Sequence, residues 1–271
     1  MNYSINKNNI ELICADFNLD ETLDCGQAFR WTVTETDFDR TYEGYFIDRY
    51  LKISSQGNKF IFHDTTAEEF ENIWVEYFDL NTDYSSIKKR LSEDETLKKA
   101  CDFAGGIRLL KQDFWECLCS FIISQNNNIP RIKGIISRLC EHYGHFPTPF
   151  ELSAETPESL DFLKAGFRAK YLIDAAQKVS MGEVSAEMLN VLSLEDARKL
   201  LMTIKGVGPK VAECVLLFGM YRTQAFPVDV WIKRVMENYY PDDLPECTKG
   251  VEGIAQQYLF HYIRNLDKTI E

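Results

Sequence analysis

Residues 197–219 run Ala197-Arg198-Lys199-Leu200-Leu201-Met202-Thr203, then Ile204-Lys205-Gly206-Val207-Gly208, then Pro209-Lys210-Val211-Ala212-Glu213-Cys214-Val215-Leu216-Leu217-Phe218-Gly219. The outer parts read as two helices and the middle as a tight turn. Gly206 and Gly208 permit the turn and a close backbone approach. Pro209 suits the first turn of the second helix. The opening N–H groups of that helix lack intrahelical partners, and such a site accepts a phosphate without side-chain help. Read alone, the stretch is equally an ordinary pair of helices packed on itself. Lys210 tips the reading towards chemistry. The positive end of the helix dipole disfavours an ammonium there, and the neutral amine is the form a nucleophile requires. Cys214 follows four residues on, on the same helix face. Downstream, Phe226-Pro227-Val228-Asp229-Val230-Trp231 leads into a further helix to about Tyr239. Asp229 reads as its N-cap. An N-capping carboxylate is kept ionised by the helix N–H groups, so a cap can also act on a developing positive charge.

Around this segment lies a chain of 271 residues, 45% hydrophobic and 27% charged, a globular composition sized for one large domain or two smaller ones. No apolar run reaches the ~18–20 residues that span a bilayer, so no membrane role is expected. The first residues carry no apolar signal core, which leads to the expectation of a cytoplasmic chain. Its eight cysteines then read as reduced thiols. They form no C-x-x-C pair, which argues against a zinc ribbon or a four-cysteine iron–sulfur loop. The net charge of −12 argues against nucleic acid when taken whole. Its distribution does not. Residues 1–105 hold 11 Lys+Arg against 21 Asp+Glu, whereas residues 126–234 hold 14 against 12. Local fields govern docking.

The alternation of Phe29, Trp31 and Val33, then Tyr42, Tyr45 and Ile47, then Leu51 and Ile53, then Phe60 and Phe62 predicts an antiparallel sheet from about Gln27 to His63. Its breaks are expected at Glu35–Arg40 and Ser54–Asn58. Helices are expected over Thr66–Phe78 and Ile87–Ala100. After Gly106 the pattern is helical almost throughout, including a helix from Pro130 to about Tyr143 and a last one over about Val251–Asn265. The fold class is α+β: an antiparallel sheet domain over 1–105, then an all-α domain over 106–271.

The motifs Gly206-Val207-Gly208-Pro209-Lys210-Val211-Ala212 and Pro227-Val228-Asp229-Val230 resemble the helix-hairpin-helix DNA glycosylase superfamily. Lys210 with Asp229 is similar to its bifunctional glycosylase/lyase branch. Four distant segments narrow the resemblance to 8-oxoguanine DNA glycosylases of the eukaryotic type. Cys25-Gly26-Gln27-Ala28-Phe29-Arg30-Trp31 resembles the family's Ser-Gly-Gln-Ser-Phe-Arg-Trp. Ser124-Gln125-Asn126-Asn127-Asn128-Ile129-Pro130-Arg131 resembles Ser-Ser-Asn-Asn-Asn-Ile-Ala-Arg. Gly166-Phe167-Arg168-Ala169-Lys170-Tyr171 resembles Gly-Tyr-Arg-Ala-Arg-Tyr. Ala255-Gln256-Gln257-Tyr258-Leu259-Phe260 resembles Ala-Gln-Ala-Val-Leu-Phe. The resemblance covers about residues 15–265.

The resemblance implies roles. Lys210 and Asp229 would be catalytic. Gly26 would accept the N7–H that oxidised guanine has and guanine lacks. Gln256 would meet the base's Watson–Crick edge, with Phe260 and Cys214 on its two faces. Asn126, Arg131 and Arg168 would read the widowed cytosine, with Phe167 as wedge. Gly206, Gly208, Val211 and Trp231 would lie at DNA phosphate. The implied activity is excision of 8-oxoguanine opposite cytosine in duplex DNA, then strand nicking by β-elimination. No catalytic metal or cofactor is implied beyond a monovalent cation at the hairpin. A monomer of bacterial or archaeal origin, associated with the nucleoid when on DNA, is expected. The chain departs from the family at Trp231, where His is usual, and at Ile263, where Asp is usual. Two other readings stand beside this one: a glycosylase for alkylated purines, which needs only Asp229, and a non-catalytic DNA-binding module, which needs neither Lys210, Asp229 nor the Gly26 motif.

Overall fold

The computed structural model describes residues 2–268, and the side chains of 2–266. Six strands form one antiparallel sheet: β1 (Tyr3–Asn6), β2 (Asn9–Ile13), β3 (Trp31–Val33), β4 (Arg40–Phe46), β5 (Arg49–Gln56) and β6 (Lys59–His63). Their spatial order is β1-β2-β6-β5-β4-β3. The register sets Ile10 opposite Phe62, Phe62 opposite Ile53, and Ile53 opposite Tyr42. Because side chains alternate along a strand, this row faces one side, and all four residues are buried. The helical stretch 67–77 lies against that face. Phe62 packs edge-on to Phe70 at 4.9 Å, and the Trp31 indole N–H donates to the Tyr77 hydroxyl at 2.7 Å.

The sheet begins earlier than the sequence pattern indicated. β1 and β2 carry only Ile5, Ile10 and Leu12 as a weak alternation, and Ile5 and Ile13 are exposed, so little distinguishes them from loop. Ser54, Ser55 and Gln56 lie within β5 rather than in a break. Ser54 is buried because its hydroxyl meets Thr41 Oγ1 and His63 Nε2, each at 2.8 Å. The helix expected over Ile87–Ala100 is two, Tyr84–Leu91 and Glu95–Phe103. Asp94 restarts the chain by accepting the Leu97 N–H.

Beyond Gly106 the described chain is helical, as expected. The helix Phe114–Ser124 is buried along nearly its whole length. Ile129–Tyr143 starts at Asn128, whose side chain accepts the Arg131 N–H at 3.0 Å. Of the described residues, 2–27, 31–111 and 228–268 pack into one compact unit, and 28–30 with 112–227 into a second. The last long helix, Glu252–Lys268, belongs to the same unit as the sheet. Among the described residues no helix is long and apolar enough to cross a membrane.

Candidate active site

In the second unit the hairpin is built from Leu194–Leu201 and Pro209–Cys214, the latter continuing as a π-helical segment, Val215–Gly219. Val207 N–H closes the turn on Ile204 C=O at 3.0 Å. Gly206 has φ +80°, and a Cβ there would lie 2.3 Å from the Tyr171 ring. Gly208 differs. Its backbone is extended, and a Cβ there would meet open space. The first intrahelical donor is Ala212, to Gly208 C=O at 3.0 Å. The amides of Lys210 and Val211 precede it and have no helical carbonyl to meet. No side chain caps this end.

Lys210 is half-buried, with its Nζ 5.3 Å from the centre of the Phe121 ring. That ring is itself held by stacking on Phe218. Cys214 is buried. Between them Glu213, which the sequence reading passed over, is buried and doubly engaged. Its Oε1 accepts from Arg198 Nε on the first hairpin helix. Its Oε2 accepts the Phe226 N–H at 2.7 Å. One carboxylate thus ties both hairpin helices to the segment that runs on in the chain to Asp229.

The same unit holds Asn126, Arg131, Phe167 and Arg168. Asn126 is exposed, with φ +50°. Arg131 is exposed in the first turn of its helix. Arg168 is buried, and its guanidinium donates to the carbonyls of Gln125, Asn126 and Ala165. It therefore clamps the 125–126 backbone in place. Burial, and next the neighbouring charge of Arg131, shifts its pKa downward. Phe167 is 44% exposed, with the Arg168 guanidinium 4.4 Å from its ring centre.

In the first unit Asp229 caps Val230–Tyr239. Its Oδ1 accepts both the Trp231 N–H at 3.0 Å and the Ile232 N–H at 2.9 Å. Both bonds fall on one oxygen, so capping does not consume Oδ2. Trp231 is half-buried under Arg234, 5.0 Å away. Gly26 has φ +91°, a conformation that favours glycine. Its neighbour Gln27, not singled out from sequence, is fully buried. Its amide donates to the carbonyls of Thr22 and Arg108 at 2.8 Å, and its Oε1 accepts the Leu110 N–H at 3.0 Å. It holds the Gly26 turn to the chain at 108–110. Gln256 is buried and Phe260 only half-buried, one turn apart on one helix face. Among the described residues no group of three or more His, Cys, Asp or Glu is placed to hold a metal ion.

Residues 9–118 match the 8-oxoguanine DNA glycosylase N-terminal domain, and 119–256 match the HhH-GPD superfamily of base-excision DNA repair proteins. The probable N-glycosylase/DNA lyase of Methanothermobacter thermautotrophicus is 31% identical over 74% of this chain and 75% of its own length. The chain belongs to the 8-oxoguanine DNA glycosylase family. It is thus an enzyme of the N-glycosylase/DNA lyase class, with the helix-hairpin-helix superfamily's hairpin at 194–219. The N-glycosylase/DNA lyase of Saccharomyces cerevisiae is 38% identical, but the match spans 50% of this chain and only 42% of the yeast protein. The Clostridium acetobutylicum 8-oxoguanine glycosylase/lyase, solved with double-stranded DNA containing cytosine opposite 8-oxoguanine, superposes with a TM-score of 0.90 at 37% identity, covering 98% of this chain and 99% of that one.

Proposed function

We propose that this chain removes 8-oxoguanine from duplex DNA, preferring cytosine opposite, and then nicks the strand through a Schiff base on Lys210. The observation that carries the proposal is the site of Lys210. It sits in the uncapped first turn of the second hairpin helix, in a chain whose Asp229 caps the next helix through one oxygen only. In this reading the nucleotide is extruded at a cost of a few kcal/mol. Phe167 fills the gap it leaves. Asn126, Arg131 and Arg168 meet the orphan cytosine. The bonds that Arg168 makes to backbone carbonyls leave Arg131 as the more accessible of the two guanidiniums. Gly26 C=O accepts the lesion's N7–H, Gln256 meets its Watson–Crick edge, and Phe260 and Cys214 take its faces.

Asp229 stabilises positive charge developing at the sugar. The neutral Lys210 amine attacks C1′, the C1′–N9 bond breaks, and the base leaves with the bonding pair. A proton passes from the attached nitrogen to O4′ as the C1′–O4′ bond opens, which gives the iminium; the departed base anion takes a C2′ proton, and the C3′–O bond breaks so that the 3′ phosphate leaves with its bonding pair. The amides near Gly206, Gly208 and Val211 hold a backbone phosphate, with Trp231 near another. In this reading a monovalent cation at the hairpin adds to the phosphate contact. In this reading the enzyme works on cytoplasmic DNA.

The test is borohydride trapping on a duplex with one 8-oxoguanine opposite cytosine. The expected result is a covalent adduct with the native chain and none with Lys210→Gln. Excision without an adduct in the native chain would discard the Schiff base while keeping the glycosylase. Exchanging adenine for the opposite cytosine is expected to slow excision, and equal rates would remove the roles of Arg131 and Arg168.

A further inference from the structure

Two groups of the second unit hold the ring of Phe167. One is the Arg168 guanidinium, 4.4 Å from the ring centre and itself bound to the carbonyls of Gln125, Ala165 and Asn126. The other is Tyr171, whose ring meets that of Phe167 edge-on with 5.6 Å between centres. The short turn Gly166–Arg168 runs straight into the helix Ala169–Ser180. Residues 167 and 171 therefore stand one turn apart on one face.

Tyr171 has a second contact in the same unit. Its ring lies so close to the hairpin turn that a Cβ on Gly206 would come within 2.5 Å of three ring atoms, Cγ, Cδ2 and Cε2. Only the missing Cβ at Gly206 lets the ring approach the backbone there. Lys170 Nζ stands 5.5 Å from the Tyr171 ring centre. One side chain thus touches both the exposed ring of Phe167 and the turn that precedes the uncapped helix of Lys210. A side chain that enters a base stack loses rotamer freedom, and a ring already held loses less. Its offset matters as well. A phosphate held at the hairpin fixes where the DNA backbone runs, and a ring aimed into the stack must reach it at a set distance from that phosphate. Misplacing a positioned group by even a small distance slows a reaction steeply.

We propose that Tyr171 is a positioning residue that keeps the Phe167 ring aimed and in register with the hairpin, so that Phe167 enters the duplex at a fixed offset from the phosphate the hairpin grips. The inference rests on the reading of Phe167 as the wedge and of the hairpin as a phosphate contact. Tyr171 acts through Phe167 and touches neither the base nor the sugar. Its removal therefore slows extrusion of the nucleotide without weakening the grip on undamaged DNA.

The experiment is a double-mutant cycle. Single-turnover excision of 8-oxoguanine opposite cytosine is measured at saturating protein for the full chain, Tyr171→Leu, Phe167→Ala and the double variant. Tyr171→Leu fills space beside Gly206 but offers Phe167 no ring. It is expected to slow excision roughly 2- to 10-fold, the size of one aromatic pair. Affinity for undamaged duplex, read by fluorescence anisotropy, is expected to stay within about twofold. Tyr171→Phe keeps the ring and is expected to restore the native rate within about twofold. In the Phe167→Ala background the loss caused by Tyr171→Leu is expected to shrink to within about twofold, because the ring it positions is gone. A merely structural role for Tyr171 lowers the rate by the same factor in both backgrounds, and that outcome overturns the inference. So does a Tyr171→Leu rate equal to the native one. If leucine does not pack, Tyr171→Met closes the same cycle. Full activity in Phe167→Ala removes the wedge role and the inference with it, whereas a native chain that leaves 8-oxoguanine in place overturns the functional reading beneath both.

Discussion

Gly206 and Gly208 stand two residues apart in one turn and meet different demands. At Gly206 an added Cβ meets both the left-handed backbone and the Tyr171 ring at 2.3 Å. Gly206→Ala is expected to destabilise the chain by ~2–4 kcal/mol, a backbone penalty plus overpacking. Chemical denaturation followed by circular dichroism reads this loss. Gly208→Ala meets no backbone penalty and open space. It is expected to leave stability within about 0.5 kcal/mol while weakening DNA binding, because a methyl group shields the amides of Lys210 and Val211. Fluorescence anisotropy checks the second part, and unchanged affinity would remove those amides from the phosphate contact. Sequence alone gave the two glycines one shared role. Backbone angle and local space are tertiary properties, supplied here by Tyr171 from another helix. For the same reason Gln27 and Glu213 went unread. A polar residue buried for its partners looks like any other polar residue until the partners are known. Lys210, Asp229 and Gly26 could be singled out as candidates because they sit within dense local motifs.

At the scale of elements, Glu213 is the joint between the hairpin and the segment 221–227. It is 7% exposed, with one oxygen on the Arg198 guanidinium and the other on the Phe226 amide. Glu213→Gln keeps an acceptor but loses the charge, which leaves Arg198 without its partner ion. The expected cost is ~1.5–3 kcal/mol, the size of a charge-assisted bond, seen as a lowered melting temperature. No change in melting would show the pair to be dispensable. The short helix Pro149–Ser153 offers a pH test. Glu151 closes a capping box with Thr148. The Thr148 amide first, then its hydroxyl and His145, hold the Glu151 pKa down to about 2. An unfolded glutamate titrates near ~4.3. A lowered folded-state pKa gives stability that is complete above the unfolded value and drains away as pH falls towards the folded one. The stability difference between the native chain and Glu151→Gln is therefore expected to be flat above about pH 5.5 and to shrink between roughly pH 4.5 and 2. A flat difference down to pH 2 would contradict the box. Long elements with strong periodicity, such as Ile129–Tyr143 and the hairpin helices, were readable from sequence to within a few residues. The strands Tyr3–Asn6 and Asn9–Ile13 were not, because their pairing is what stabilises them and each has one face in solvent. The break between Tyr84–Leu91 and Glu95–Phe103 was missed because Asp94, a common surface residue, serves there as a cap.

For the whole molecule, charge and readout separate. The net charge is −12, with a mildly basic stretch over 126–234. The groups proposed to touch the lesion are neutral: a Gly26 carbonyl, the Gln256 amide, the Phe260 ring and the Cys214 thiol. Phosphate contacts release counterions and weaken as salt rises, whether or not the DNA is damaged. Contacts to a base through neutral groups release none. Total affinity should therefore fall with salt on both lesion-bearing and undamaged duplexes, along parallel lines when log K is plotted against log [KCl]. Their ratio should stay constant from about 50 to 300 mM, a span over which a contact with several phosphates loses orders of magnitude. Anisotropy titrations with Lys210→Gln, which holds the substrate intact, supply both lines. If the ratio instead collapses with salt, charged side chains read the lesion, and Gly26 and Gln256 cannot be what distinguishes it. If the lines stay parallel, the acidic balance of the chain acts on every DNA alike: it lowers loose binding to undamaged duplex and leaves discrimination to a pocket that long-range charge does not reach.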